Sequence, residues 1–497
     1  MKLNYKRTIL VGFAFFLISA FWQAYDAIVP LILTNHFGLP QTASGVVMSL
    51  DNILAVVLLP VFGALSDRVM TKHGKRTPFI VIGATAAIIT FICLILVDGV
   101  QLATILKTDI PQRYAETKVA LKEASKLLIE AGNSGNASAL EMAKGLVDFY
   151  NDQIDAITAE TLAFTLNNLW PLIGFIAMLL VVLVSMATFR SPAVALMPDV
   201  TVKPLRSKAN AIINLMGTAG GILVLGLGML LGTSENHHMS YTGYVIAVCG
   251  IMLIGLVAFI ATVKEKRWAD EMERETERLG LEEPVEGETA HGKLSRPELK
   301  SLFLILASVA LWYVGYNSIT SKYTVYAANE LFFDFNLTLM IAQVAAIISY
   351  IPVGIVASKI GRKKTILAGI IMLGGAFFCG NFISPGMNQY LMIPIFILAG
   401  MGWATINVNS FPMVVELAKG GDVGKYTGYY YTASMSAQIV APILSGVLYD
   451  TFGMRSTFFS FGTAFVVFSF ITMLFVKHGD ARPEAMSVIE DGLGGDD

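Results

Sequence analysis

Twelve apolar runs of about 20 residues, divided by short polar breaks, decide what this chain can fold into. They lie at 8–34, 43–66, 77–97, 167–197, 209–231 and 241–263, and again at 301–326, 337–357, 365–384, 389–412, 427–449 and 457–476. About 20 residues of helix cross the hydrocarbon core of a bilayer. Lipid offers backbone N–H and C=O groups no partner, so each run must close its own hydrogen bonds as a helix. Only 14% of the 497 residues are charged, where a soluble chain averages about 25%. Mean hydropathy is +0.64. The expected fold is all-α and integral to the membrane.

The remaining composition excludes several classes. Net charge is −2, and the basic residues sit in short clusters flanking the spans, which argues against a nucleic-acid partner. Cys93, Cys249 and Cys379 all lie in apolar runs without CxxC or metal-ligand spacing, so no disulfide framework, metal or cofactor is expected. The first run is too long for a signal-peptide core and reads as a retained span. HExxH, GxSxG and a phosphate-binding loop are absent from the sequence, so an enzyme is not expected.

Orientation follows from the basic residues. With the N-terminus inside, inner segments carry 26 of the 35 Lys and Arg, while the short outer loops carry only Arg455. Both termini are expected on the cytoplasmic side of the cell's inner (plasma) membrane. This gives an N-terminal six-helix bundle over 1–263, a cytoplasmic linker over 264–300, a C-terminal bundle over 301–476 and a cytoplasmic tail over 477–497. The stretch 99–165 is an outer insertion read as two amphipathic helices broken at Gly132–Gly135, either a solvated hairpin or a lid. Asn136-Ala-Ser138 fits a glycosylation sequon.

The two halves repeat. Gly63-Ala-Leu-Ser-Asp67-Arg68 and Gly74-Lys75-Arg76 follow the second span; Gly354-Ile-Val-Ala-Ser358-Lys359 and Gly361-Arg362-Lys363 follow the eighth. Asp199 precedes Lys208 by nine residues after the fourth span, and Glu416 precedes Lys425 by nine after the tenth. Repeated bundles are a common build of secondary transporters.

Gly-x-x-x-Asp-Arg followed by Gly-Lys-Arg resembles the cytoplasmic motif of the major facilitator superfamily. The fuller strings FGALSDRVMTKHGKRTPFI, RSPAVALMPDVTVKPLRSKANAI and NSFPMVVEL followed by GKYTGYYYTAS are similar to its sucrose-transporter and glycoside–pentoside–hexuronide:cation symporter branch, bacterial members included. The resemblance spans both bundles but not the insertion. It implies the major facilitator fold, two pseudo-symmetric six-helix bundles. It also implies a cytoplasmic gate built from Asp67, Arg68, Lys75, Arg76 and Asp199, with Glu416 in the repeat. Plant sucrose transporters carry an Asp where this chain has Leu183 and an Arg where it has Val194, so their proton and sugar residues do not carry over.

Ionisable residues inside a span are costly and mark function. The twelve runs hold four: Asp26, Asp51, Arg190 and Lys322; all six histidines fall outside them. At 1.5 Å per residue, Asp26 lies ~28 Å and Asp51 ~24 Å above the inner face, so both are candidate proton-coupling groups. Arg190 lies ~14 Å up, too deep to reach water comfortably, and reads as a sugar-hydroxyl fork or a switching partner for an aspartate. Lys322, near the outer end of its span, is expected to snorkel.

Sugars are recognised by aromatic faces and by amides and hydroxyls. Candidates are Trp22, Gln23 and Tyr25 on span one, and Trp312, Tyr316 and Asn317 on span seven. Trp403, Asn407 and Asn409 on span ten, and Tyr430 and Gln438 on span eleven, with Tyr429 beside them, complete the set. Any of these amides could equally be glue between helices. The sequence favours proton-coupled symport of a disaccharide or other glycoside, with sodium the other possible coupling ion and a monomer expected. An exporter of amphipathic compounds and a non-transporting sensor are the alternatives.

Overall fold

The computed structural model describes residues 3–202, 205–278, 295–415, 417 and 423–478. Those residues are mostly helical, with no β-strand among them. Helix α1 (Tyr5–Leu31) continues through a π-helical turn (Ile32–His36), followed by α2 (Gln41–Arg68) and α3 (Thr77–Ile105). The insertion forms α4 (Ile110–Ser134) and α5 (Ala137–Asn167), which meet at Gly135 in a left-handed conformation (φ +66°). Helices α6 (Trp170–Asp199), α7 (Arg206–Leu230) and α8 (Thr242–Thr262) follow, then α9 (Glu265–Arg278) in the expected linker. Next come α10 (Arg296–Thr320) and the short α11 (Tyr323–Val325), which runs into a second π-helical turn (Tyr326–Leu331). Helices α12 (Phe335–Ile360), α13 (Arg362–Gly380), α14 (Met392–Val415), α15 (Val423–Phe452) and α16 (Met454–Leu474) end the chain.

Eleven helices among the described residues are long and apolar enough to cross a membrane, and α12, 26 residues long, takes the place of the expected eighth span. Large apolar side chains such as Ile82, Ile254 and Phe303 point outward, the surface that lipid rather than water would cover. The chain is a multi-pass membrane protein.

Contacts divide it into two units. The first contains 1–283 together with 323–337 and 384–387; the second contains 284–322, 338–383 and 388–497. Within the first, α1 packs on α7 and α8, and α3 on α6 and α8. Within the second, α10 packs on α15 and α16, and α13 on α14 and α16. Counted in spans, these are the same four pairings, so the repeat in the sequence is a repeat in packing. A glycine sits at two matching crossings, α3 on α6 and α13 on α14. A Cβ at Gly83 would sit 2.7 Å from Phe189 Cβ, and one at Gly402 would sit 2.7 Å from the Leu373 nitrogen. Small residues are what lets two helix backbones approach in a membrane, where no hydrophobic force drives them together.

Two expected boundaries move. The apolar run of span one ends at Thr34, but the π turn carries the helical rod to His36, which is fully buried. Helix α3 likewise passes the expected end at 97 and encloses Asp98 and Gln101, both buried. A histidine and a carboxylate thus belong to the spans. Lys322 is also corrected: it is completely buried rather than snorkelling, with the Asp450 charge in electrostatic range.

Candidate functional site

Three groups of side chains concentrate the candidate residues. The first lies on α1, α2 and α6. Helix α1 buries Ala24, Tyr25 and Ala27–Leu31 but leaves Asp26 exposed, with Trp22 one turn before it. The Arg190 guanidinium lies over the Trp22 indole, 5.5 Å from the ring centre, which suits a cation against a π face. Asp51 and Arg190 are half-buried, and Asp26, Asp51 and Arg190 feel one another's charge. Asp51 is oriented by its neighbour: its Oδ1 accepts from the Asn52 backbone N–H at 2.6 Å and from the Asn52 side-chain amide at 2.7 Å. Among the described residues, the Trp22 indole N–H and the Tyr25 hydroxyl are buried without a hydrogen-bond partner. Buried polar groups in native proteins are nearly always paired, so these two orphans just before Asp26 stand out on its turn. Gln23 belongs to the same turn and has a partner of its own.

The second group lies at the opposite ends of α2 and α6. Arg76 bridges them: its Nε donates to Asp199 Oδ2 at 2.8 Å, one terminal nitrogen to Asp67 and the other to the Ser66 hydroxyl. Burial opposes the Arg76 charge, but the Asp199 and Asp67 carboxylates outweigh it and raise its pKa. Arg68 is exposed, and Lys75 contributes its backbone rather than its charge. Helix α3 has no N-cap side chain of its own. Instead Glu265, the first residue of α9, accepts from the backbone N–H of Lys75 (2.6 Å), Arg76 (2.8 Å) and Thr77 (2.6 Å), and from the Thr77 hydroxyl (2.7 Å). A carboxylate there satisfies orphan donors and meets the positive end of the helix dipole. Only glycine fits beside it: Gly74 has φ +114°, and a Cβ would lie 2.3 Å from Glu265 Cδ. At the opposite end of the docked face, Arg7 pairs with Glu271 and lies 5.1 Å over the Trp268 ring.

In the repeat, Lys363 takes a different partner from Arg76. Its ammonium donates to the carbonyls of Leu474 (2.9 Å) and Val476 (2.6 Å), capping the end of α16. Glu416 lies outside the described residues.

The third group lies within the second unit. Tyr316 stacks on Trp403 with ring centres 6.0 Å apart, and Tyr350 meets Trp403 edge-on at 6.5 Å. Trp312 is fully buried against Tyr313 at 4.0 Å, and its indole N–H is a further orphan among the described residues. Several expected amides are spent within their own helices. Asn317 donates to the Tyr313 carbonyl at 2.8 Å, Asn409 to that of Thr405 at 2.9 Å and Gln438 to that of Ser434 at 3.3 Å. Tyr430 is buried with its hydroxyl 2.9 Å from that of Ser410. Asn407 is half-buried and Tyr429 exposed. Sequence reasoning missed Asn52, Tyr350 and Glu265.

The sequence pattern of the Major Facilitator Superfamily matches residues 332–490, and that of MFS/sugar transport proteins matches residues 10–107. Over these two stretches the chain is similar to the major facilitator superfamily. Curated relatives match it over short stretches. The MFS-type transporter ppzB of Metarhizium majus is 25% identical over 114 residues, 23% of this chain and 24% of that protein. An uncharacterized MFS-type transporter of Methanocaldococcus jannaschii is 23% identical over 165 residues, 33% of this chain and 42% of that protein. The matches thus span about a quarter to two fifths of these relatives' length. In fold, the inward-open xylose transporter XylE from E. coli superposes with a TM-score of 0.61 at 12% identity, covering 98% of this chain and 99% of that one.

Proposed function

We propose that this chain is a secondary transporter that moves a sugar, a disaccharide or other glycoside, together with a proton by alternating access; sodium is the other candidate ion. The observation that carries this reading is the charge set on α1, α2 and α6. The charges of two carboxylates, Asp51 and Asp26, act on one guanidinium, Arg190. When all three are ionised one negative charge is in excess, and excess charge in a span is costly. A bound cation removes it, and the nearby Trp22 indole N–H and Tyr25 hydroxyl are buried without a partner, so a ligand oxygen that reached them would pair with them. Cation binding and sugar binding would then meet on one turn of helix.

The Tyr316–Trp403 stack supports a sugar over a purely apolar cargo, because a flat aromatic face pairs with the C–H face of a pyranose while polar groups take its hydroxyls. The pattern match to sugar transport proteins over residues 10–107 covers Trp22 to Asp51 and points the same way. In this reading Asp67, Arg68, Lys75, Arg76 and Asp199, with Glu416 in the repeat, form a cytoplasmic gate. The chain acts as a monomer in the plasma membrane with both termini inside. Uptake by proteoliposomes under imposed proton and sodium gradients, over a panel of mono- and disaccharides, tests it. Flux without a gradient effect would remove the coupling, and no flux of any sugar would favour an exporter or a sensor.

A further inference from the structure

Helix α4 of the insertion, the 231–241 loop and the 323–337 and 384–387 segments meet in one cluster within the first unit. His36, on the π turn after α1, places Nδ1 2.7 Å from Asp98 Oδ1 of α3. Its ring stacks on His238 at 6.3 Å and on Tyr241 at 5.7 Å. His237 stacks on Tyr114 of α4 with ring centres 3.5 Å apart, and lies 4.7 Å from His238. His237 Nδ1 donates to Asn329 Oδ1 (3.3 Å), and the Asn329 amide donates to Asn35 Oδ1 (2.8 Å). Around this core, Ser234 donates to Asp334 (3.0 Å), Asn336 to Thr233 (3.0 Å), and Lys118 lies 5.3 Å over the Phe332 ring. Gly386 packs on Lys126 and Ile129 of α4.

The cluster holds charges of both signs. Asp98 is bonded to His36, and Asp334 to Ser234 and Asn336. Lys118 and Lys122 on α4 are both cationic, and Asp155 of α5 and Glu330 act on Tyr114. Tyr241 and Tyr244 are buried and neutral. Among the described residues His237 and His238 have no carboxylate at contact distance, and the Nε2 atoms of His36 and His238 are buried without a partner.

We propose that this cluster is a pH-released clamp: acid on this face charges His237 and His238, and the charged rings free α4 and the 323–337 and 384–387 segments. The reading does not depend on what the protein carries. Burial, reinforced by His238, Lys118 and His36, holds His237 well below its ordinary value. Burial and His36 push His238 down to about 4. A released, solvated histidine returns to about 6.5, so opening takes up protons. The clamp is therefore at full strength above pH 6.5 and weakens about tenfold per pH unit for each histidine as pH falls from there toward 4.

The test is a distance measurement on the full-length chain in nanodiscs without sugar. Spin labels at Glu130→Cys on α4 and Met387→Cys in the 384–387 segment are placed in a Cys93→Ala, Cys249→Ala, Cys379→Ala background. The clamp predicts one short-distance population at pH 8, and a longer one that dominates by pH 5. The His237→Gln, His238→Gln variant stays short throughout. Should that variant fail to fold, Lys118→Met serves: removing a cation beside the histidines lets the closed clamp tolerate protons, so its midpoint moves to lower pH. Asp26→Asn and Asp51→Asn leave the response intact. A wild-type distribution unchanged from pH 8 to 5, a histidine variant that opens like wild type, an unmoved Lys118→Met midpoint, or loss of the response in the aspartate variants would each overturn the proposal.

Discussion

Glu265 and Thr77 are joined twice, the carboxylate accepting both the Thr77 backbone N–H at 2.6 Å and its hydroxyl at 2.7 Å. A helix that the charge pattern placed in a solvated linker is thereby pinned under α3. The same carboxylate holds the Lys75 and Arg76 backbones, so it positions the Arg76 side chain that links Asp67 to Asp199.

Glu265→Ala is expected to lower stability by about 1–2 kcal/mol, the range for losing a helix cap, with Glu265→Gln intermediate. Gly74→Ala should cost at least as much, since it combines a left-handed φ with a clash against Glu265. Thermal unfolding in detergent, followed by circular dichroism, measures both.

The Arg76 network gives a functional prediction. Asp67→Asn removes a charge-assisted bond at the C-terminal end of α2 and should slow transport at least tenfold while leaving expression and sugar affinity near wild type. Paired uptake and equilibrium-binding assays read the difference; wild-type uptake kinetics would remove Asp67 from the gate.

The lines of this protein that rest on local pattern were legible in the sequence, and those that rest on distant contacts were not. Twenty-residue apolar runs gave the helices, and the paired glycine-and-charge motifs matched a repeat in packing. Glu265 was hidden because its partners lie 188–190 residues away. His36 and Asp98 were hidden because a π turn and a longer α3 carry the rods beyond the apolar runs. Lys322 looked like a snorkelling cation because depth along a helix does not say which neighbour it meets. Asn409 and Asn317 looked open because a sequence does not reveal an amide that bonds its own helix.

Arg190→Ala should weaken sugar binding at least tenfold. Arg190→Lys should not restore it, because a point ammonium lacks the planar guanidinium that lies over Trp22 and, in the proposed role, would fork to two hydroxyls. Isothermal titration with the transported sugar checks this; unchanged affinity and unchanged pH dependence together would make Arg190 structural.

Burial, with Lys122 nearby, depresses Lys118 from 10.5 to about 8. A base whose folded pKa is lowered costs stability wherever it must be charged. The cost is absent above 10.5, grows as pH falls and is complete below 8. Lys118→Met should therefore raise the melting temperature by about 2 °C at pH 7, and the gain should vanish near pH 10.5. A gain independent of pH would assign the effect to packing alone.

The central claim is that a membrane carboxylate couples the ion to the sugar. It is tested most directly by sugar accumulation in proteoliposomes under an inward proton gradient, beside sugar exchange without one. Wild type should concentrate sugar. Asp26→Asn and Asp51→Asn should lose accumulation yet keep exchange, because a neutral amide mimics the protonated carboxyl. If both variants still concentrate sugar under the gradient, the carboxylate mechanism is contradicted.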